Sequence, residues 1–156
     1  MQPRWLWPLA VFVPLAAVAA ALVSQHGFDM MPCPWCVLQR VVFVAIALVA
    51  LLGWIVGAAL PRRVAAVLML VLAGCGMAAA LWQHFVAASS VSCNLTLADR
   101  IVSALGLDSM APEVFAAYAS CADAAVKLFG VWYEYYSLAL YLLLAAMALL
   151  LLRRPR

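Results

Sequence analysis

Long apolar segments separated by short polar ones make up most of the sequence. A helix needs roughly 20 apolar residues to cross the hydrocarbon core of a bilayer. Four segments are long enough, namely Trp5–Val23, Val41–Leu60, Val64–Trp82 and Tyr135–Leu152. Their runs of Leu, Ala and Val lack the alternation of transmembrane β-barrel strands. The pattern therefore predicts an all-α membrane protein, a four-transmembrane-helix bundle that forms one domain over residues 1–156.

The composition agrees with this pattern. Hydrophobic residues make up 71% of the chain and charged residues 10%, whereas a soluble domain has about half and about a quarter. Soluble and disordered classes are therefore excluded. The net charge of +3 does not indicate a nucleic-acid partner, because the basic residues do not cluster on a soluble face.

Charges of opposite sign lie on opposite sides of the predicted spans. Six of the eight arginines flank the chain ends and the link between the second and third spans: Arg4, Arg62, Arg63, Arg153, Arg154 and Arg156. The acidic residues lie on or border the other side: Asp29, Asp99, Asp108, Glu113, Asp123 and Glu134. The positive-inside rule makes the arginine side, with both termini, cytoplasmic. The first span could instead be a signal peptide, but its tryptophans and prolines favour a retained span.

Two segments are predicted on the exoplasmic side, a short one over residues 24–35 and a long one over residues 87–131. Neither is large enough to hold a core of its own. In the long segment, apolar residues recur at helical spacing: Leu97, Ile101, Val102 and Leu105. We expect a short amphipathic helix there, either on the membrane surface or against the end of the bundle. The cytoplasmic link is predicted at Pro61–Arg63.

The cysteines are the candidate chemical groups. Cys33 and Cys36 form a Cys-Pro-Trp-Cys motif in the short exoplasmic segment, whereas Cys93 and Cys121 lie in the long one. Disulfides form and persist in exoplasmic compartments. A disulfide within the long segment would stabilise the protein by about 3–4 kcal/mol, so a structural role is one interpretation of that pair. Cys75, alone in the third span, is interpreted as a small apolar filler.

The Cys-x-x-Cys motif indicates redox chemistry, because it closes too small a ring to stabilise a fold. One thiolate of such a pair attacks and the other resolves. A zinc site would need two further ligands, and haem attachment would need a histidine where this chain has Val37. No βαβ pattern surrounds the motif, which excludes a thioredoxin fold. The chemistry is therefore predicted at the membrane edge.

Arg40 lies one helical turn beyond Cys36 on the same face of the second span. Cys36 is predicted near the N-terminus of that helix, where the helix dipole favours the thiolate. An arginine within a span costs at least roughly 2.5–3.5 kcal/mol on insertion scales, which makes it a functional candidate. The alternative is a side chain that snorkels to the interface.

A lipid-soluble quinone is the predicted electron acceptor. The chain has no flavin or dinucleotide motif, whereas a quinone needs only an apolar slot and a few hydrogen-bond donors. Arg40, Gln39 and His84 are available at roughly the same depth. A purely interfacial position is an equally good interpretation of His84.

Together, these features resemble the disulfide bond formation protein B family, the bacterial quinone-linked thiol oxidases. The resemblance covers nearly the whole chain: four spans, Cys-x-x-Cys ahead of the second span, an arginine four residues on, and two cysteines in the second exoplasmic loop. It implies an enzyme of the bacterial inner membrane that reoxidises a periplasmic thioredoxin-fold thiol oxidase (DsbA-like). It also implies a membrane quinone as cofactor, either ubiquinone or menaquinone, and we expect a monomer.

The resemblance assigns a role to each paired cysteine. Cys93–Cys121 is the shuttle disulfide, which the reduced partner attacks at Cys93. Cys121 then passes the electrons to the Cys33–Cys36 pair through a transient bond with Cys33. Cys36 is the thiolate that contacts the quinone ring.

The resemblance also covers residues around the quinone. Arg40 and His84 match family positions beside the ring, and the helix around Ile101–Leu105 looks like the family's membrane-surface segment. Gln39 departs from the pattern, because some members carry an acidic residue there. No catalytic role is therefore carried over to Gln39.

Two other classes of protein are alternatives. A vitamin K epoxide reductase-like quinone reductase also combines four helices, Cys-x-x-Cys and loop cysteines, but with the motif near the last span, the reverse of the order here. A non-enzymatic membrane scaffold with two structural disulfides would leave Arg40 and the tight motif unexplained. The Gly-x-x-x-Gly pattern from Gly53 to Gly57 marks either a dimer face or packing within the bundle.

Overall fold

The structure, a computed structural model, describes residues 5–89 and 96–153. Its helices and strands in chain order are α1 (Leu6–Phe28), α2 (Pro34–Val56), α3 (Ala59–Phe85), α4 (Leu97–Ala104), α5 (Leu107–Met110), α6 (Pro112–Phe115), β1 (Lys127–Leu128), β2 (Val131–Trp132) and α7 (Tyr133–Arg153). Within these ranges, the four helices α1, α2, α3 and α7 are long and apolar enough to cross a membrane. The predicted all-α bundle is therefore confirmed.

Helix α2 begins at Pro34, well before Val41, where the predicted span starts. Cys33 caps the helix, because its Sγ accepts a hydrogen bond from the backbone N–H of Cys36 at 3.2 Å. Pro34 is the first helical residue, a position at which its fixed φ suits the helix and its missing N–H costs nothing. The redox motif is thus built into the first turn of α2. We call this end of the bundle the cysteine end.

Helix α1 continues to Phe28, beyond the predicted end of the first span. The connection between α1 and α2 is therefore residues 29–33, shorter than the predicted segment over residues 24–35. Asp29 ends α1 in the left-handed conformation, with φ of 51°. The prediction was too long because apolar runs mark only the part of a helix that suits hydrocarbon, whereas helical hydrogen bonds continue through polar residues.

The link at the opposite end of the bundle also differs from the prediction. Residues 57–58 join α2 to α3, and Pro61–Arg63 belong to the first turns of α3. Gly57 ends α2 with φ of 72°, a left-handed conformation that glycine adopts without strain. A proline in the first helical turn breaks no hydrogen bond, because that N–H has no partner within the helix. Pro61 was therefore wrongly taken as a helix end.

The four long helices pack side by side in the order α1, α2, α3, α7. Two glycines allow the closest approaches. A Cβ on Gly53 would lie 2.5 Å from the ring of Trp7 and 2.7 Å from the Cβ of Ala65, and a Cβ on Gly76 would collide with the ring of Tyr141. Gly53 therefore serves packing within the chain.

We expect Gly76→Ala to lower the free energy of unfolding by about 1–3 kcal/mol, because the added methyl group overpacks the contact between α3 and Tyr141. Gly74→Ala is the matched control, since no atom of the described residues beyond its own helix lies within 4 Å of the added Cβ. Thermal unfolding of the two variants in detergent measures the difference. Equal midpoints would contradict the packing described for Gly76.

The predicted amphipathic helix of the long connection is α4. A capping box starts it, in which the Thr96 side chain and the Asp99 side chain each accept a hydrogen bond from the other's backbone N–H. Ala98 and Val102 are buried, and α4 packs against α2. Its other face exposes three apolar side chains: Leu97, Ile101 and Leu105. One face of α4 thus covers the bundle end while the second remains open.

A two-stranded hairpin leads from the long connection into α7. Lys127 pairs with Trp132 and Leu128 with Val131 in antiparallel register. The two turn residues between the strands, at positions 129 and 130, both have positive φ, 51° and 83°, as in a type I′ turn. The hairpin sets the start of α7, and with it the position of Glu134 at the cysteine end.

Candidate active site

Three cysteine side chains meet at the cysteine end. The Sγ atoms of Cys33 and Cys36 are 2.6 Å apart, and Cys33 also forms a side-chain hydrogen bond with Cys121 from the long connection. All three are free thiols in the structure. Cys33 is fully buried and Cys121 is 6% exposed. Cys33 thus lies between its motif partner and a cysteine that is remote in the sequence.

Backbone hydrogen bonds hold the long connection against the short one. The carbonyl oxygen of Pro32 accepts hydrogen bonds from the backbone N–H groups of Tyr118, at 3.0 Å, and Ala119, at 3.2 Å. Pro32 directly precedes Cys33, and Ala119 lies two residues before Cys121. The contact between the side chains of Cys33 and Cys121 therefore follows from the hydrogen-bonded pairing of the short and long connections.

The thiols of Cys33 and Cys121 differ in how readily they lose a proton. Burial raises the pKa of the Cys33 thiol far above its ordinary range, so Cys33 remains a hydrogen-bond donor. The hydrogen bond from Cys33 lowers the pKa of the Cys121 thiol. The thiolate of Cys121 therefore persists to a lower pH than that of an ordinary cysteine, and the thiolate is the nucleophilic form.

Two buried glutamines connect Cys36 to the interior of the bundle. The Gln83 side chain donates from Nε2 to the Sγ of Cys36 at 3.2 Å, and Gln39 donates from Nε2 to the Oε1 of Gln83 at 2.7 Å. Hydrogen-bond donors directed at a sulfur stabilise its thiolate form. The amide of Gln83 is therefore part of the environment of Cys36.

Arg40 is buried, at 5% exposure, and does not snorkel to the interface. Its Nη1 donates to the Oε1 of Gln25 in α1 at 2.7 Å and to the backbone carbonyl of Val114 in α6 at 2.9 Å. Gln25 in turn donates to the backbone carbonyl of Glu113 at 3.3 Å. Arg40 thus ties the second span to the first span and to the long connection.

His84 lies in the last turn of α3 and contacts a buried acid. Its Nδ1 is 3.2 Å from the Oε1 of Glu134, and its Nε2 is 3.1 Å from the hydroxyl of Tyr135. Glu134 is 2% exposed. The other carboxyl oxygen, Oε2, is buried and has no hydrogen-bond partner in the described part of the chain.

A cavity of about 700 Å³ lies between α1, α2 and α7 beneath the two connections. Small-molecule sites commonly have about 300–1,000 Å³. Helix α1 leaves the space because it presents small side chains there: Ala17, Ala20, Ala21 and Ser24. The lining also includes polar side chains of the clusters described above: Cys36, Gln39, Arg40, Gln83 and Glu134.

The model of a known protein family, described as "Disulfide bond formation protein DsbB", matches residues 3–151 of this chain. This chain belongs to that family. A disulfide bond formation protein B of Aromatoleum aromaticum is 31% identical over 159 residues, which cover 94% of this chain and 93% of the relative. Disulfide bond formation protein B 1 of Pseudomonas aeruginosa is 34% identical over 132 residues, which cover 82% and 81%. A relative from Marinobacter nauticus is 28% identical over 161 residues, which cover 99% and 94%.

The predicted resemblance to the DsbB family is therefore confirmed, and it favours this family over the vitamin K epoxide reductase-like and scaffold alternatives. The protein is a membrane oxidoreductase of the disulfide-forming class. Family membership and the four long apolar helices together identify it as a multi-pass membrane protein.

In this DsbB-family chain, the predicted site residues divide between three places. The cavity lining includes Cys36 and Arg40. We call the three side chains of Cys33, Cys36 and Cys121 the sulfur cluster. Its members Cys33 and Cys121 are outside the cavity lining. His84 is outside the lining and contacts the lining residue Glu134. Cys93 lies outside the described residues.

Sequence reasoning missed three buried polar residues of the site, namely Gln25, Gln83 and Glu134. Each is a polar side chain near the cysteine end of a long apolar helix, at about the depth of Arg40 or Cys36. That shared depth is the signal that could have found them. His84 was predicted to lie beside the quinone, whereas its neighbour Gln83 is the residue that reaches Cys36.

Proposed function

We propose that this protein is a thiol:quinone oxidoreductase. It reoxidises a periplasmic thioredoxin-fold thiol oxidase and passes the electrons through two cysteine pairs to a membrane quinone, ubiquinone or menaquinone. It lies in the bacterial inner membrane with both termini in the cytoplasm and both cysteine-bearing connections in the periplasm. The observation that supports this most is the sulfur cluster, in which Cys33 touches Cys121 on one side and the cavity-lining Cys36 on the other.

The proposed relay begins at the long connection. A thiolate of the reduced partner attacks Cys93 of the Cys93–Cys121 disulfide, so that a mixed disulfide forms and Cys121 leaves as a thiolate. The Cys121 thiolate attacks Cys33 of the Cys33–Cys36 disulfide, and Cys36 leaves as a thiolate. The packing of Cys121 against Cys33 places the attacking sulfur beside the sulfur that it attacks.

The relay then returns the long connection to its starting state. The second thiol of the partner attacks the mixed disulfide, which releases the oxidised partner and the Cys93 thiolate. Cys93 attacks Cys121 of the Cys33–Cys121 disulfide, which restores Cys93–Cys121 and frees Cys33. Two electrons and two protons now reside on the Cys33–Cys36 dithiol, and its reoxidation completes the cycle.

The residues around the cavity fit a quinone. A bound quinone supplies a two-electron, two-proton acceptor. Arg40, Gln39 and Gln83 offer N–H donors for its carbonyl oxygens, and the small side chains of α1 leave an apolar slot for its ring. Glu134 also lines the cavity. His84 is outside the cavity lining and contacts Glu134.

The proposal is tested with purified protein, a reduced thioredoxin-fold oxidase and a soluble quinone under anaerobic conditions. We expect one quinone to be reduced for each dithiol of the partner that is oxidised. Absorbance of the quinone and alkylation of the remaining partner thiols measure the two amounts. Oxidation of the partner without quinone reduction would contradict the proposed acceptor.

A further inference from the structure

The proposed function, on which this inference rests, requires protons to move as well as electrons. Oxidation of the Cys33–Cys36 dithiol to a disulfide releases two electrons and two protons, and reduction of a quinone takes up two of each. Electrons pass directly from sulfur to ring. Protons need groups that bind and release them, placed between the cavity and water.

Most polar side chains beside Cys36 cannot exchange a proton. Gln39 and Gln83 are amides, which have no titratable group, and the guanidinium of Arg40 stays protonated in proteins. Glu134 is the buried carboxyl group among the described residues that line the cavity. It is therefore the lining group suited to carry a proton at this depth.

The two carboxyl oxygens of Glu134 are in different environments. Oε1 is 3.2 Å from the Nδ1 of His84, whereas Oε2 is buried and has no hydrogen-bond partner in residues 5–89 and 96–153. A buried carboxyl oxygen without a partner is costly, and Glu134 is among the residues that line the cavity. The free oxygen therefore belongs to a residue that a molecule in the cavity would contact.

His84 connects this carboxyl group to the surface. Its side chain is 19% exposed, whereas that of Glu134 is 1% exposed. The second ring nitrogen, Nε2, lies 3.1 Å from the hydroxyl of Tyr135. An imidazole with one nitrogen on a buried acid and the other towards a partly exposed hydroxyl can pass a proton from one to the other.

We propose that Glu134 and His84 form the proton route of this oxidoreductase. Glu134 hands one proton from its carboxyl group to a quinone oxygen in the cavity while the dithiol electrons are transferred. His84 then returns a proton to Glu134 through Nδ1 and takes one from water at the surface. The second proton of the quinone comes from the dithiol, and the other dithiol proton is released to water, where it replaces the one that His84 takes up.

Other charged or titratable groups surround Glu134. His84 and Tyr135 lie along the proposed route, Cys121 interacts with Glu134 electrostatically, and Arg40 and Tyr133 line the same cavity. A second His–Glu pair, His26 and Glu113, has exposed side chains and lies outside this cavity, which provides a matched control.

The test compares Glu134→Gln with Glu113→Gln in the purified, quinone-loaded full-length protein. Glu134→Gln keeps the size and a hydrogen-bonding group but cannot release a proton. We expect quinone reduction to slow by about 100-fold or more, while disulfide exchange between the partner and the protein, measured without quinone, keeps its rate. Glu113→Gln should change neither rate. Glu134→Asp retains a carboxyl group and should recover part of the loss.

A second readout does not depend on turnover. Infrared difference spectra of quinone-loaded protein before and after reduction should contain a carboxylic acid C=O band that disappears in Glu134→Gln and persists in Glu113→Gln. An unchanged band together with an unchanged quinone reduction rate would overturn the proposal. Equal slowing of disulfide exchange and quinone reduction would also overturn it, because Glu134 would then only support the fold. A wild-type protein that reduces no quinone would instead refute the proposed function.

His84 acts through Glu134 and is a positioning and relay residue. In His84→Ala the first turnover should remain fast, because the substitution interrupts only the return of a proton to Glu134, and later turnovers should slow by about 100-fold. Added imidazole should restore the later turnovers. Equal slowing of all turnovers without rescue by imidazole would overturn the route through His84.

Discussion

Replacing Cys36 with serine should lower quinone reduction to the rate seen without protein, a loss of at least about 1,000-fold. Cys36 is the cysteine of the sulfur cluster that lines the cavity. A serine hydroxyl cannot form a disulfide with Cys33, so electrons that reach Cys33 have no sulfur through which to leave. Anaerobic absorbance of a soluble quinone, with reduced partner in excess, measures the rate.

Cys75→Ser is the matched control for this substitution. Cys75 is an exposed cysteine of α3 and is outside the cavity lining, so its replacement should leave the rate unchanged. Thermal unfolding of both variants checks that each retains its fold. Enzymatic quinone reduction by a folded Cys36→Ser variant would rule out the assigned role of Cys36.

Replacing Arg40 with methionine should raise the quinone concentration for half-maximal reduction by about 10- to 100-fold. Methionine keeps much of the volume but leaves the Oε1 of Gln25 and the carbonyl of Val114 without their donor. The contact between α2 and α6 beside the cavity should therefore loosen. Arg40 also lines the cavity, and a lost hydrogen bond from this charged donor to a quinone oxygen costs about 1.5–3 kcal/mol, where each 1.4 kcal/mol corresponds to tenfold in affinity.

Two further variants separate charge from hydrogen bonding at this position. Arg40→Lys keeps the positive charge but not the forked donor geometry, so we expect an intermediate effect. Arg100→Met removes an exposed arginine of α4 and should leave quinone affinity unchanged. If Arg40→Met lowered thermal stability but left quinone affinity at the wild-type value, Arg40 would only hold the fold together.

The large-scale architecture was predictable because bilayer thickness imposes a length on each span. The four apolar runs predicted four helices, and Cys-Pro followed by an apolar run predicted a helix that starts at the motif. The helix ends were less predictable. Pro61–Arg63 was taken as the link although proline and arginine fit in the first turns of α3, and Pro34 shows the same tolerance at the start of α2.

The site was predictable where its chemistry is local in the sequence and less so where it depends on packing. Cys33, Cys36 and Arg40 stand within one short segment, and their spacing already suggests their roles. The partners of these residues are distant in sequence: Gln25 is 15 positions from Arg40, and Gln83 is 44 positions from Gln39. A lone polar residue at the end of an apolar run shows its depth but not which helix it faces.

Glu134 is the clearest example of this difference. In the sequence it is one of six acids on or bordering the exoplasmic side, and its position suggested only the boundary of a span. In the structure the hairpin before α7 and the end of α3 enclose it, so that it is buried against His84. Its proposed role could therefore be inferred only after the helices had been packed.

The central claim is that electrons pass from Cys121 to Cys33 and leave through Cys36. The most direct measurement is disulfide mapping by mass spectrometry of a Cys93→Ser variant, alkylated under acidic quench. Without Cys93, the thiol of Cys121 faces the oxidised Cys33–Cys36 pair, and exchange conserves one disulfide. The account predicts a Cys33–Cys121 disulfide with Cys36 alkylated. A retained Cys33–Cys36 disulfide with Cys121 alkylated, or a Cys36–Cys121 disulfide, would contradict it.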